Sequence, residues 1–210
     1  AGSDAYCKVY PETCEMGLTP TLYPAAALTV AVKQHGLTLD SLKDLIGRGN
    51  VDGIGVEQNP PSPVAVGARN IKIKVSSPID GHLVLLDLAD TGELIQLYPN
   101  QYSRKKLGDG FDKIRAGSPV QIPDAYYGIS FNAKTPGSGY LIAIISADPV
   151  DYGAAITTRA IKVMPREKAE AEYLPALAEA LSKPVYAHDE AGNTAAAKVS
   201  VATVRYEILP

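Results

Sequence analysis

The chain has 210 residues, of which 46% are hydrophobic and 20% are charged, and its formal net charge is −3. This length can bury a full hydrophobic core, while the near-neutral charge disfavours nucleic acid and anionic membrane surfaces as partners. The 18 glycines and 16 prolines exceed the usual share without reaching that of a disordered chain, so we expect a folded, turn-rich, mainly β protein.

The two cysteines, Cys7 and Cys14, flank Pro11 in a short stretch of small and polar residues near the start of the chain. Such a loop can close as a disulfide, whereas a zinc site lacks further ligands and a redox motif needs a Cys-x-x-Cys pair. Free thiols are the alternative. A structural disulfide predicts an oxidising compartment, so we expect a periplasmic or secreted protein. Because no methionine precedes Ala1, we also expect a processed product or a piece of a longer chain.

The first 60 residues are predicted to form an irregular, disulfide-tied, partly helical segment. Residues 24–35 fit either a strand or a short helix, since alternating apolar residues and alanines occur together. A second short helix is predicted to begin at Asp40, a good N-cap, and to end at Gly47. The segment 59–63, Asn-Pro-Pro-Ser-Pro, reads as a stiff linker because proline removes backbone donors.

Beyond the linker, hydrophobic residues recur with the period of a strand. Ile71, Ile73 and Val75 alternate with lysines, which predicts a half-buried strand. The run 82–88 is almost continuously apolar and therefore predicts a strand covered on both faces. A tight turn leads to a third strand at 93–98, so the three strands form a meander.

The rest of the chain is predicted to add a polar loop, two strands, a helix and a hairpin. The loop covers 100–116, and the strands cover 126–132 and 139–145. An amphipathic helix over about 165–183, with a kink at Pro175, precedes a closing hairpin that ends at Leu209. We therefore predict a mainly β, sandwich-like fold with a few helices, α+β at the periphery. Its two parts are residues 1–60 and a β-sandwich module at 61–210.

Four strings in the middle of the chain follow a family pattern: Gly67–Ser77, Asp80–Asp87, Gly92–Asn100 and Ala116–Pro123. The pattern is best marked by Leu97-Tyr98-Pro99-Asn100 and resembles a bacterial domain-of-unknown-function family of compact β-sandwich-like modules over about residues 64–150. His82 stands where the family more often has tyrosine. The resemblance implies an extracytoplasmic module, or one attached downstream of caspase-like peptidase or kinase domains, and it transfers no catalytic residue.

Catalytic chemistry finds little support in the motifs. His35, His82 and His188 are scattered, and no Gly-x-Ser-x-Gly elbow accompanies them. We expect His82 to be a partnered strand residue and predict no enzyme activity, no catalytic residue and no cofactor. The carboxylates of the meander and the following loop fit turn chemistry better than a metal site. These are Asp80, Asp87, Asp90, Glu93, Asp109 and Asp112.

Recognition is more plausible in the loop at 101–115. It has five cations against two carboxylates, with aromatic residues interleaved, and a polar loop on a rigid sheet is a common place for binding. The alternative is an ordinary solvated loop. The predicted ligand-binding residues are Tyr98, Asn100, Tyr102, Arg104, Lys105 and Phe111.

Three functional hypotheses follow. The first is a non-catalytic, secreted or periplasmic binding module that recognises a protein or a small ligand through its loops, with another protein as the expected partner. The second is a regulatory accessory domain of a larger caspase-like peptidase or kinase. The third is a hydrolase with an unrecognised site, which requires His82 or His188 beside a serine or carboxylate in a pocket. No apolar run is long enough to span a membrane, so none is expected.

Overall fold

The computed structural model describes residues 38–47, 53–147, 149, 161–182 and 199–210. Several predictions concern residues outside these ranges: the Cys7–Cys14 disulfide, the element at 24–35, His35, His188 and the first arm of the closing hairpin.

Three helices lie in the described part of the chain. Helix α1 is Leu39–Gly47 and helix α2 is Gln101–Leu107. Helix α3 runs through three consecutive parts: Arg166–Lys168, a π-helical turn at Ala169–Tyr173, and Leu174–Ser182. Single 3₁₀ turns occupy Gly108–Gly110 and Ala125–Tyr127. Within the described residues, no helix has both the length and the apolar character needed to cross a membrane.

Nine strands are described: β1 Gly55–Asn59, β2 Val64–Ala65, β3 Lys72–Ser76, β4 Gly81–Ala89, β5 Leu94–Tyr98, β6 Lys113–Ile114, β7 Val120–Ile122, β8 Gly137–Ser146 and β9 Val199–Leu209. A three-stranded sheet has the order β1-β3-β7, and a six-stranded sheet has the order β2-β9-β8-β4-β5, with β6 paired to β4. The pairs are antiparallel except for β2 with β9. The prediction of a mainly β fold is confirmed.

Strand β4 is buried on both faces because it separates two hydrophobic cores. Leu83 and Leu85 belong to the sheet core, which apolar residues of the two sheets share. Leu86 and Leu88 point the opposite way into the helix core, which α1 and α3 cover. The continuously apolar run at 82–88 is explained by this position, as predicted.

Helix α1 starts before Asp40, because Thr38 provides the cap. The Oγ1 atom of Thr38 accepts a hydrogen bond from the backbone N–H of Ser41 at 3.1 Å, and Ser41 Oγ accepts from the N–H of Thr38 at 2.7 Å. This reciprocal arrangement is a capping box, and it corrects the predicted cap. Leu42 of the helix is buried in the helix core, while β1 pairs with β3 across the linker at 59–63.

The predicted amphipathic helix is present as α3. Leu174, Leu177 and Ala178 are buried in the helix core, as the periodicity predicted. The π-helical turn ends two residues before Pro175. Proline cannot donate the backbone hydrogen bond that an α-helix requires, and its ring crowds the preceding turn, so the irregular turn accommodates it.

One predicted strand differs from the structure. The region 126–132 is not a strand: Asp124 accepts a hydrogen bond from the N–H of Tyr126 at 2.8 Å, and this starts a 3₁₀ turn instead. Gly128 ends the turn in the left-handed region with φ +64°. At the end of the chain, β9 lies between β8 and β2 inside the larger sheet.

Candidate binding site

Helix α2 replaces the polar loop that the sequence predicted at 100–116, and Asn100 starts it. Asn100 Oδ1 accepts hydrogen bonds from the N–H groups of Tyr102 and Ser103 at 2.8 and 3.0 Å, and Ser103 Oγ accepts from the N–H of Asn100 at 3.0 Å. The Asn100 Nδ2 group donates to the carbonyl of Leu97 at 2.6 Å. The Asn-x-x-Ser spacing was the sequence signal for this cap.

Two of the predicted ligand-binding residues are buried. Asn100 has 0% exposure and Tyr98 has 1%, and Tyr98 lies in the sheet core. Burial raises the pKa of the Tyr98 phenol above its ordinary value, and the nearby Tyr127 and Asp112 raise it further. Asn100 therefore serves as the cap of α2, and Tyr98 serves as a core residue.

The other predicted residues belong to what we call the α2 face, defined as Tyr102, Arg104, Lys105, Lys106, Phe111 and Tyr126. Tyr102 stacks on Tyr127, with ring centroids 5.4 Å apart and an interplanar angle of 23°. The guanidinium of Arg104 lies 5.7 Å from the centroid of the Phe111 ring. Lys105 is exposed beside them. Four of the six predicted residues thus lie on α2 or shortly after it, and each is at least partly exposed.

Lys106 extends the α2 face toward the 3₁₀ turn. Its Nζ atom lies 2.6 Å from Asp124 Oδ2 and 5.9 Å from the centroid of the Tyr126 ring. The hydrogen bond from Lys106 is the main cause that holds the pKa of Asp124 below its ordinary value. Cation–ring contacts of this kind contribute most where water is excluded, as at a protein interface.

The segment around α2 presents positive charge outward. Arg104, Lys105, Lys106, Lys113 and Arg115 are all exposed. A carboxylate of the same segment, Asp112, is buried and accepts a hydrogen bond from His82. An anionic partner would therefore meet several exposed cations and partly exposed rings.

His82 is partnered, as predicted, and borders a surface pocket. Its Nδ1 atom lies 2.9 Å from Asp112 Oδ2, and the two side chains are 14% and 6% exposed. The pocket beside it, about 510 Å³, is lined by Asp80, Gly81, His82, Lys113, Ile114, Arg115 and Ala147. These lining residues include no serine, threonine or cysteine, so the pocket offers an imidazole–carboxylate pair but its lining residues supply no hydroxyl or thiol nucleophile.

The predicted turn carboxylates divide into two groups. Asp80 accepts from the N–H of Ala116 at 2.7 Å, and Asp90 lies 3.5 Å from the Arg205 guanidinium, so both act near turns as predicted. Asp87 is different because it lies inside β4. Among the described residues, no group of three or more His, Cys, Asp and Glu side chains is arranged to hold a metal ion.

Asp87 is part of a site that the sequence analysis missed, a cavity of about 190 Å³ that opens between the two sheets. Asp87 Oδ1 accepts a hydrogen bond from the Tyr206 hydroxyl at 2.8 Å. Burial raises the pKa of Asp87 to about 6, and the bond from Tyr206 opposes that rise. The sequence feature that could have indicated this site is a single carboxylate within an apolar strand, because a carboxyl in such a position needs a polar partner.

Residues 64–149 match the model of a protein family described as a domain of unknown function, DUF4384. The matched region is less than half of the 210-residue chain and runs from β2 past the end of β8. It confirms the resemblance to a domain-of-unknown-function family for this region. Neither a curated protein nor a solved structure matches the chain.

Proposed function

We propose that this protein is a non-catalytic binding module that recognises an acidic segment of a partner protein through the α2 face. The supporting observation is that exposed cations of α2 lie over partly exposed rings of neighbouring segments, Arg104 over Phe111 and Lys106 over Tyr126. Arginine and aromatic residues are enriched where interfaces gain most of their binding energy.

Contacts at its start and along its side hold α2 in one position, and this order favours binding. The buried Asn100 cap fixes the start of the helix, and the stack of Tyr102 on Tyr127 packs its side against the 3₁₀ turn. A surface that is already ordered loses less conformational entropy when a partner binds. The carboxylates of an acidic segment would pair with the cations, and its apolar side chains would cover the rings.

Fluorescence anisotropy of a labelled peptide of alternating glutamate and tyrosine tests this proposal, with a glutamine–tyrosine peptide of equal length as the neutral probe. The double variant Arg104→Gln/Lys105→Gln should weaken binding of the acidic peptide by at least tenfold. The matched variant Lys72→Gln/Lys134→Gln removes two exposed cations elsewhere and should change binding by less than threefold. Equal losses in both variants, or equal binding of both peptides, would refute the proposal.

A bacterial extracytoplasmic location, secreted or periplasmic, is part of the proposal. It is supported by the spacing of Cys7 and Cys14 and by the resemblance over residues 64–150, which also suggests attachment to a caspase-like peptidase or kinase. Thiol titration of the denatured chain, purified from its native compartment without reductant, should find no free thiol. Two titrating thiols would contradict the disulfide.

A second candidate, a hydrolytic site, is favoured by the contact between His82 and Asp112. A carboxylate-oriented imidazole beside a pocket can act as a general base toward water, and Lys113 and Arg115 line the same pocket. Hydrolysis of p-nitrophenyl acetate and p-nitrophenyl phosphate by the wild type and by His82→Asn tests this candidate. A rate above background that disappears in the variant would support it, and equal rates would refute it.

A further inference from the structure

We propose that the cavity between the two sheets binds a small amine, with an apolar body among its aliphatic walls and a primary ammonium group on Asp87. This site is separate from the α2 face and does not depend on the function proposed for it.

The walls of the cavity suit an apolar body. Most of the lining side chains are aliphatic or aromatic: Val64, Ile71, Ile73, Ile95, Leu97, Phe131, Ala133, Leu141, Ile161 and Ile208. The volume of about 190 Å³ is somewhat larger than a protein cavity of roughly 150 Å³ known to hold benzene. One ring or a short alkyl chain therefore fits.

The cavity exists because the two sheets differ in extent. Strands β4, β8 and β9 have 9, 10 and 11 residues, whereas β1, β3 and β7 have 5, 5 and 3. The smaller sheet therefore cannot cover the whole face of the larger one. Where the described part of the smaller sheet ends, Ile71, Phe131 and Ile208 are only partly buried and form an apolar entrance.

The polar groups of the cavity can accept hydrogen bonds from a ligand. The Tyr206 hydroxyl donates to Asp87 Oδ1, and no other hydrogen bond or ion pair of Asp87 occurs among the described residues. As far as the described residues go, Asp87 Oδ2 and a lone pair of the Tyr206 oxygen are thus left as acceptors. An ammonium group offers three donors and a positive charge, so it matches both.

Charge balance favours an amine over a neutral ligand. Asp87 and Tyr206 are the titratable residues among the described residues that line the cavity, with Gln58 and Asn132 as neutral amides, so no cation of the described lining compensates the carboxylate. A buried unpaired charge is costly, and an opposite charge that arrives with a ligand removes much of that cost. The Tyr206 hydroxyl packs closely against Gly139, since a Cβ atom at that position would lie 2.7 Å from the Tyr206 oxygen.

The experiment is an NMR titration of the full chain with benzylamine and with benzyl alcohol at pH 8, where the amine and the Asp87 carboxyl are both charged. Benzyl alcohol has a similar shape but no charge. Benzylamine should shift the amide signals around Asp87 and Tyr206 and bind at least tenfold more tightly than the alcohol. The α2 face is cationic and should repel an amine, so signals there should not move.

Two variants complete the test. Asp87→Asn should weaken benzylamine binding at least tenfold while leaving benzyl alcohol unchanged, and the exposed-carboxylate control Glu57→Gln should change neither. Equal affinities for the two ligands in the wild type would overturn the proposal even if Asp87→Asn failed to fold. Unchanged benzylamine binding by a folded Asp87→Asn protein would also overturn it.

Discussion

At the scale of single residues, Asp87 shows how a fold can place a carboxyl in an unfavourable setting. Its neighbours along β4, Leu86 and Leu88, are buried in the helix core, while Asp87 itself faces the cavity and accepts a hydrogen bond from Tyr206. Desolvation favours the protonated form, which is why the pKa of Asp87 is raised to about 6. The titration of the Asp87 carboxyl therefore makes the free energy of unfolding depend on pH.

The sign of this link gives the first prediction. Between an ordinary pKa of 3.8 in the unfolded chain and about 6 in the folded protein, the folded state holds more protons at Asp87, so its contribution to the free energy of unfolding falls as pH rises through this window. Asp87→Asn removes the effect. Urea unfolding from pH 4 to pH 8 should show the variant gaining stability relative to the wild type, by up to about 3 kcal/mol.

The comparison cancels the titration of other groups, since both proteins share them. Glu57→Gln, which changes an exposed carboxyl, serves as the control and should show no such trend. A constant difference between Asp87→Asn and wild type across this pH range would mean that Asp87 has an ordinary pKa in the folded protein.

At the scale of elements, α2 depends on its cap more than on its own length. A helix of 7 residues is too short to be stable alone, so its first turn needs the hydrogen bonds that Asn100 and Ser103 supply. Because Asn100 is fully buried, its loss would also leave the carbonyl of Leu97 without the Nδ2 donor.

The second prediction concerns this cap. Asn100→Ala should lower the free energy of unfolding by about 1–3 kcal/mol, because it removes a helix cap and leaves buried backbone groups without partners. Gln101→Ala, at the exposed first helical position, should change it by less than about 0.5 kcal/mol. Urea titration measures both, and equal effects of the two substitutions would contradict the role of Asn100.

The same variant connects stability to binding. If the cap orders the α2 face, Asn100→Ala should weaken the acidic peptide even where the protein remains folded, although Asn100 itself cannot touch the peptide. An Asn100→Ala protein with unchanged peptide affinity would show that recognition does not depend on the ordered helix.

At the scale of the whole molecule, the region that matches the family model is not structurally self-contained. Strand β8 ends at Ser146, within the match at 64–149, but it pairs with β9, which lies outside the match, from Gly137 to Ser146. Helices α1 and α3 also lie outside it and cover the helix core. Without them, apolar side chains of β4 and β8 would face water.

The third prediction is that a fragment of residues 64–149 does not fold cooperatively, whereas the full chain does. Removing β9 exposes an edge of β8, and removing the two helices uncovers one face of the larger sheet. Urea unfolding monitored by near-ultraviolet circular dichroism should give a sigmoidal transition only for the full chain. A sharp transition and dispersed amide signals from the fragment would contradict this expectation.

Parts of the fold were predictable because their cause is local. The alternation of Ile73 and Val75 with lysines specifies a half-buried strand wherever that strand lies, and the spacing of Leu174, Leu177 and Ala178 does the same for a helix. The prediction of a loop in the α2 region was wrong because it relied on the polar composition of the segment. The spacing of Asn100 and Ser103 is that of a helix cap and would have indicated a helix. In this segment the capping residues favour a helix, whereas the overall polar composition favours a loop.

The sequence by itself determined the mainly β class, the central strands of the meander and the late helix, since each depends on the period of neighbouring side chains. It also indicated four of the residues that meet on the α2 face. Only the tertiary structure decided that Asp87 would share a cavity with Tyr206, a residue 119 positions further along the chain. That contact depends on β9 pairing with β8 beside β4, and pairing between distant strands is set by packing of the whole chain rather than by any local pattern.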